Sequence, residues 1–507
     1  MVALAGGSGD RLEGGAPLSA QSRTGLVPNF LLLLGAQVMS KATTLIALVL
    51  LSRYLGSEFY GRFAVAAAIP LALEAFVDAG LSQAIVREGA GRPAVIRHDV
   101  SSVVPAKLGF GAMGIGITYV IATVLGLGAE LVEVAVYLAL VKAMDSLTIL
   151  LRGVFEAHEH MEYEAASIVV DSLVRLLFVA YALYSGFGLI GLAKAYVVSS
   201  AILLAATSII AVHRFLPMWP PLPDRTRLLT LLGVGAPFAA VWLLDGLAVR
   251  ACTVLIGVLA GDAPAGEFAA ASRLIEPLFI VPYMMAAAAL PLAARHLFER
   301  RATLPSLLVS SLKLALTFAF ADAIVLIGGA TFLVGAVFGP DFSGAAGILS
   351  ILAIALLPAF TRATLTNFLI VLDAQRLLIG AQIVSITIAI GLAVALVPAG
   401  GPRAGAAAIA IGEFVGIVAM GVGIQGVLPL RLKDLARTVA AGTIALVVLG
   451  ITPLVSPMVA TLLALAALFA GIRRLRAFDE DEVGYLQRAV PVLGPLMRAL
   501  LGPVPAR

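Results

Sequence analysis

Charged side chains are scarce in this chain, and where they fall inside long apolar stretches their spacing carries chemical content. Gln37 and Lys41 are four residues apart and share one face of a helix. Lys142, Asp145 and Arg152 fall at spacings of three and seven, again one face, with two cations to one anion. Asp171 and Arg175 stand at i and i+4, the geometry of an internal ion pair, and Arg273 with Glu276 reads the same way. Lys194 lies in the following apolar stretch, and Asp245, Arg250, Lys313, Arg362 and Glu413 are embedded further on. A charge at the bilayer centre costs about 2.5–3.5 kcal/mol on insertion scales, so such residues face a cavity or one another.

The chemistry open to this set is recognition. Ammonium and guanidinium groups in excess suit an anion whose oxygens accept charge-assisted hydrogen bonds, as those of a diphosphate do. Lys41, Lys142, Arg152, Arg175, Lys194, Arg250 and Arg362 are therefore the candidate substrate-binding cations. Arg152, near the end of its stretch, has a second reading in which it snorkels to the membrane surface. Glu74 and Asp78 are four apart and both acidic, and in low dielectric they repel unless one holds a proton or meets a base. With Asp145 and Asp171 they are the candidates for proton coupling.

Bond-making chemistry has no comparable signature. His158 and His160 lie among Glu159, Glu162 and Glu164, which reads as a solvated loop rather than a metal site. The single cysteine, Cys252, sits in an apolar run and can form neither an internal disulfide nor a cysteine-based metal cluster. No loop between apolar stretches is long enough to fold as a domain. The expectation is a non-enzyme without cofactor or metal.

The elements that position these charges follow from composition. With 61% apolar and 13% charged residues over 507 positions, the chain cannot surround an aqueous-type core with a polar shell, so its solvent is lipid. Its 50 glycines fit helices that approach backbone to backbone. The formal charge of +4 includes no basic block with interleaved aromatics, so no nucleic-acid partner is expected. From about residue 29 the chain is a succession of apolar stretches of about 18–28 residues, each able to cross about 30 Å of hydrocarbon. Fourteen spans are expected, from 29–51 to 456–473, with kinks at Pro237, Pro277, Pro282 and Pro358.

The fold class is thus an all-α integral membrane protein. Residues 1–28 read as a disordered tail, 29–213 as the first six spans, 229–427 as the next six, 436–473 as two more, and 474–507 as a C-terminal tail. The acidic run Asp479, Glu480, Asp481, Glu482 opens that tail, which reads as loose or interface-lying. Short loops on one side carry Arg87, Arg92, Arg97, Arg214, Arg225, Arg227, Arg295, Arg300 and Arg301, whereas the other side holds Arg53, Arg62 and Arg403. That asymmetry sets both termini in the cytoplasm.

The two sets of six spans resemble each other. Gly56-Ser57-Glu58-Phe59-Tyr60-Gly61-Arg62-Phe63-Ala64 aligns with Gly261-Asp262-Ala263-Pro264-Ala265-Gly266-Glu267-Phe268-Ala269, with both glycines and the Phe-Ala pair in register. Gly188-Leu189-Ile190-Gly191 aligns with Gly401-Pro402-Arg403-Ala404-Gly405 less closely, each ahead of the sixth span of its half. Six helices return the chain to the same side, so the halves are parallel repeats about an axis along the membrane normal.

The run Leu51-Ser52-Arg53-Tyr54-Leu55-Gly56-Ser57-Glu58-Phe59-Tyr60-Gly61, followed by Asp78-Ala79-Gly80-Leu81 and Val86-Arg87-Glu88, resembles the opening of the polysaccharide-export flippases. These form the Wzx-like, O-antigen branch of the MOP superfamily, which also holds the multidrug MATE exporters and lipid II flippases. Phe338-Gly339-Pro340-Asp341-Phe342 and Gly405-Ala406-Ala407 extend the resemblance, which covers residues 29 to about 430. It implies two pseudo-symmetric six-helix lobes around a central cavity that opens alternately to each side. It further implies a polyprenyl-diphosphate-linked oligosaccharide passed from the cytoplasmic to the outer leaflet of a bacterial inner membrane, with polysaccharide polymerase machinery as a candidate partner. The alternative is an ion-coupled, MATE-like exporter of small cationic compounds, for which an acidic or aromatic cavity is expected.

Overall fold

In hydrocarbon each peptide N–H and C=O must be satisfied within the protein, and this chain does so with helices. The computed structural model describes residues 26–89, 93–216, 222–279, 282, 304–372, 374–425, 433–451, 456–479 and 482. The expected N-terminal tail up to residue 25 and the C-terminal tail beyond 482 lie outside the described residues. The first half comprises α1 (Leu26–Ala72), α2 (Glu74–Asp78), α3 (Leu81–Gly89), α4 (Pro93–Val124), α5 (Ala129–Ala157), α6 (Met161–Tyr184) and α7 (Gly188–Ile210). The second comprises α8 (Arg225–Leu244), α9 (Leu247–Ala260), α10 (Asp262–Ile275), α11 (Leu304–Val337), α12 (Ala345–Val371) and α13 (Gln375–Ile424). Then come α14 (Lys433–Ile451) and α15 (Pro457–Arg474), which pack together against α11 around Phe320, Ile324, Ala445 and Leu468.

Among the described residues eleven helical stretches are long and apolar enough to cross a membrane, and two of these contain a reversal. The loop expected between the first two spans is a single residue, because Gly56 takes φ 73 and ψ 176 inside α1. Lys41 on one side of it and Leu71 on the other line the same cavity. Thirty residues of straight helix would hold them about 45 Å apart, so the chain turns back at Gly56. Gly401 (φ 59) does the same within α13. A Cβ on Gly412 would lie 2.6 Å from the Ser385 carbonyl oxygen, and one on Gly423 would lie 2.1 Å from Leu377 Cδ1, the pairing of an antiparallel hairpin. With these reversals, and with α8 and α9 forming one pass, the described helices make an all-helical bundle; the expected eighth span, 266–294, begins with α10 and lies partly outside the described residues. Pro277 opens the 3-10 turn Glu276–Phe279 that ends α10, whereas Pro358 stays within α12.

The repeat has a direct structural trace. Gly261 (φ 100, ψ 176) breaks α9 from α10 as Gly56 breaks α1. A Cβ on Gly61 would lie 1.8 Å from the Asp262 carbonyl oxygen, and one on Gly266 would lie 2.1 Å from that of Ser57. Gly61 aligns with Gly266 and Ser57 with Asp262, so these are one contact seen from each half, as a pseudo-two-fold axis requires. At the other end of the second pass Gly80 and Gly235 touch in the same manner, their added Cβ atoms falling 2.1 and 2.6 Å from each other's carbonyl oxygens. Small residues permit this approach, which brings the halves into backbone contact at both ends of that pass.

The acidic run after α15 is not loose at its described positions. Glu482 is buried and places Oε1 and Oε2 2.7 and 2.9 Å from Lys313 Nζ in α11, and its Oε2 also accepts from the Asp479 backbone N–H at 2.8 Å. The expectation of a free tail therefore fails at Glu482, because a buried lysine on α11 has this carboxylate as its counter-charge.

Candidate functional site

Two adjoining cavities lie between the halves. The first, of about 430 Å³, is walled by both parts of α1, by α5 and α6, and by α9 and α10. Its charged wall residues are five basic (Lys41, Lys142, Arg175, Arg250, Arg273) and two acidic (Asp171, Glu276). The second, of about 450 Å³, is walled chiefly by α2, α8, α9, α12 and α13, with α1, α5 and α10 at its edges, and carries Glu74, Asp78, Asp245, Glu276 and Glu413 against Arg250 and Arg362. Arg250, Ser272 and Glu276 belong to both walls and form the partition.

Most of the expected cations are held by carboxylates. In the first half the charges form one alternating chain: Glu74 to Lys142 at 3.1 Å, Lys142 to Asp145 at 3.8 Å, Asp145 to Arg175 at 3.2 Å, Arg175 to Asp171 at 2.9 Å, and Asp171 to Arg152 at 3.2 Å. Three helices supply it, since α2 gives Glu74, α5 gives Lys142, Asp145 and Arg152, and α6 gives Asp171 and Arg175. Ser200 from α7 donates to Asp145 at 2.9 Å, and Arg152 donates to Ser167 Oγ at 2.9 Å. In the second half Arg362 bridges Asp245 and Glu413, each at 3.1 Å, and Arg250 donates to the Asp245 carbonyl at 3.3 Å.

The predicted set thus divides. Lys41, Lys142, Arg175 and Arg250 reach the cationic cavity, and Lys41 alone of these makes no ion pair or side-chain hydrogen bond among the described residues. Arg362 faces the other cavity. Arg152 is outside both walls, and neither snorkels nor stays free, because Asp171 and Ser167 hold it inside the lobe. Lys194 is also outside both walls and sits 5.5 Å from the centre of the Tyr137 ring, a cation–π arrangement. Of the candidate proton-coupling acids, Glu74 and Asp78 face the second cavity and Asp171 the cationic one, whereas Asp145 is in neither wall. Each of Glu74 and Asp78 meets a base, so the repulsion expected between them is answered pairwise.

The base that meets Asp78 has no local signal in the sequence. Lys107 of α4 is fully buried, with Nζ 2.5 Å from Asp78 Oδ1 and 2.8 Å from Ser82 and Ser146 Oγ, and it also donates to the Ser146 carbonyl at 2.9 Å. Four elements meet at this ammonium, two residues from the Gly80–Gly235 contact. Asp78 Oδ2 has no hydrogen-bond partner among the described residues. Arg273 is a second addition: it is paired with Glu276 at 2.8 Å, as spacing indicates, and also forms part of the cationic wall. Gln382, Ser385 and Trp242, which carry no charge, are wall residues of the second cavity.

The comparisons with known proteins agree with this architecture. Residues 26–297, just over half of the chain, match the family described as polysaccharide biosynthesis protein, and the chain belongs to that family. Among solved structures it is similar to the lipid II flippase MurJ in an inward closed conformation, with TM-score 0.67 and 15% identity, over 92% of this chain and 100% of that one. It is similar to an inward-facing multidrug resistance MATE family transporter of the MOP superfamily, with TM-score 0.65 and 17% identity over 78% and 97% of the two chains. A MOP superfamily transporter from Pyrococcus furiosus, reported with a binding pocket of reverse polarity, aligns at TM-score 0.52 and 17% identity over 79% and 94%. No curated protein sequence matches the chain. The fold is that of these multi-pass membrane transporters, not of an enzyme.

Proposed function

We propose that the protein is a flippase for a polyprenyl-diphosphate-linked oligosaccharide, moving it from the cytoplasmic to the outer leaflet of a bacterial inner membrane with both termini cytoplasmic. The observation that carries this reading is the cationic cavity between the halves, with five basic and two acidic wall residues. Wall count alone overstates the charge, because Asp145 and Glu74 also lie against these cations. When these two acids and Arg152 are included, six bases face four acids, and the surplus remains positive. A diphosphate is the anion that such a site suits: Lys41 offers free donors, and Lys142 and Arg175 can exchange a carboxylate oxygen for a phosphate oxygen without leaving the network. The glycan follows the diphosphate through the bundle while the polyprenyl chain stays in lipid. Cation export is the weaker reading, since the acid-rich cavity is balanced by the bases paired to its carboxylates.

Outward movement of the headgroup down an inside-negative potential is favoured by about 2.3 kcal/mol per charge per 100 mV, so the voltage itself can drive export. The test is a cell in which this chain is the only flippase for its glycan. Lys41→Ala and Lys142→Ala cause the undecaprenyl-linked glycan to accumulate at the inner leaflet, and normal export in both variants refutes the assignment of the cavity.

A further inference from the structure

The second cavity has a chemistry that a phosphate site does not need. Each of its wall carboxylates already holds a cation: Glu74 holds Lys142, Asp78 holds Lys107, Asp245 and Glu413 share Arg362, and Glu276 holds Arg273. With Arg250 on the partition, five acids face five bases, so neither a bare cation nor an anion gains a net attraction there. Unsatisfied hydrogen-bond acceptors remain. Gln382 in α13 is 4% exposed and its Oε1 has no donor among the described residues; Asp78 in α2 is 7% exposed and its Oδ2 has none. Buried polar oxygens are ordinarily paired, and two from opposite halves of the bundle bordering one cavity point to a ligand that brings donors. On the same wall Trp242 of α8 stands 47% exposed and offers a broad apolar ring.

We infer that the second cavity is a glycan chamber, in which Gln382 and the Asp78 carboxylate accept hydroxyl or amide donors of a neutral sugar residue while the face of Trp242 receives the apolar face of its ring. This rests on the flippase reading above, and deepens it. The diphosphate occupies the cationic cavity, the partition at Arg250, Ser272 and Glu276 marks the phosphate–sugar junction, and the first sugar lies beyond it. At about 450 Å³ the chamber is within the roughly 300–1,000 Å³ of small-molecule sites. A neutral sugar is the occupant favoured by charge balance: it supplies several donors without the counter-ion that a charged ligand would need here.

The test uses the full-length protein in nanodiscs with two probes, undecaprenyl diphosphate and the same lipid diphosphate carrying one N-acetylhexosamine. Binding is followed by displacement of a labelled lipid, and, in a Trp219→Phe background that leaves Trp242 as the sole tryptophan, by its emission. The inference predicts that the sugar raises affinity about tenfold and shifts Trp242 emission, whereas the bare diphosphate does not shift it. Trp242→Ala and Gln382→Ala each remove the sugar's increment and leave affinity for the bare diphosphate unchanged. Equal affinity of the two probes for the unaltered protein overturns the glycan chamber and leaves the flippase reading standing. A sugar increment that survives both substitutions, with silent Trp242 emission, also overturns the chamber. Failure of both probes to bind overturns the flippase reading and the chamber together.

Discussion

The reciprocal glycine contact at the Gly56 end gives the sharpest prediction. In Gly61→Ala the new methyl group would begin 1.8 Å from the Asp262 carbonyl oxygen, and in Gly266→Ala 2.1 Å from that of Ser57. Real Cβ atoms essentially never come within 3.0 Å of a neighbour, so the two backbones must part by about 1.2 Å in the first variant and about 0.9 Å in the second. Both obstacles are main chain, which has no rotamer with which to yield. Overpacking of this kind costs about 1–3 kcal/mol, and the penalty falls only on conformers in which the halves touch here. The population open at the Gly56 end therefore rises by about 5- to 150-fold. The assay labels Lys41→Cys, on the cavity wall, with a membrane-impermeant thiol reagent applied from either side; the native thiol at Cys252 is buried and contributes little background. Labelling from the Gly56 side is expected to rise at least fivefold in both glycine variants and to fall from the opposite side. Gly35→Ala, where nothing lies within 4 Å, serves as the control. Labelling equal to that control refutes the gate, and a rise from both sides shows general loosening, which contradicts it too.

Three further outcomes follow from the charge pairs. Lys107→Met leaves Asp78 buried without its counter-charge and is expected to cost about 3–5 kcal/mol in detergent unfolding; Lys107→Met with Asp78→Asn recovers most of this, and a double variant no better than the single one contradicts the pairing. At the C-terminal contact the two partners differ, since Lys313 is fixed in α11 whereas Glu482 lies beyond α15. Glu482→Ala therefore strands a buried ammonium and costs about 3 kcal/mol, whereas Lys313→Met, which lets the acid return to water, costs about 1 kcal/mol or less; equal melting shifts contradict this. Lys41→Ala removes charge-assisted hydrogen bonds worth about 1.5–3 kcal/mol from the bound diphosphate and breaks no ion pair among the described residues, so affinity for undecaprenyl diphosphate falls about 10- to 150-fold with an unchanged melting temperature.

The fold was legible in the sequence wherever one physical rule acts locally. Hydropathy marked the passes because the bilayer dictates their length, and the matched glycines at 56 and 261 marked the hairpins because both positions need a left-handed backbone. Asp171 with Arg175, and Arg273 with Glu276, were legible because their partners stand one turn away. The other pairs were not. Lys142 finds Glu74 68 positions earlier, Lys107 finds Asp78 29 positions earlier, and Lys313 finds Glu482 169 positions later, separations that no helical spacing encodes. Lys107 has no acid on its own helix near enough to draw attention to it, and the run Asp479 to Glu482 looked solvated because its cation is on another helix. The second cavity was invisible for a related reason. Gln382, Ser385 and Trp242 are ordinary residues of apolar helices until the bundle sets them around one space.

The central claim is that the cationic cavity carries a lipid diphosphate outward, and the measurement nearest to it is voltage-dependent flipping in proteoliposomes. Undecaprenyl-diphosphate-linked glycan is scored by its accessibility to an external glycosidase. A potential negative on the side of the termini is expected to speed transfer of the headgroup away from that side, and Lys41→Ala is expected to reduce the rate at every voltage. A rate that ignores the imposed potential and is equal in Lys41→Ala contradicts the account.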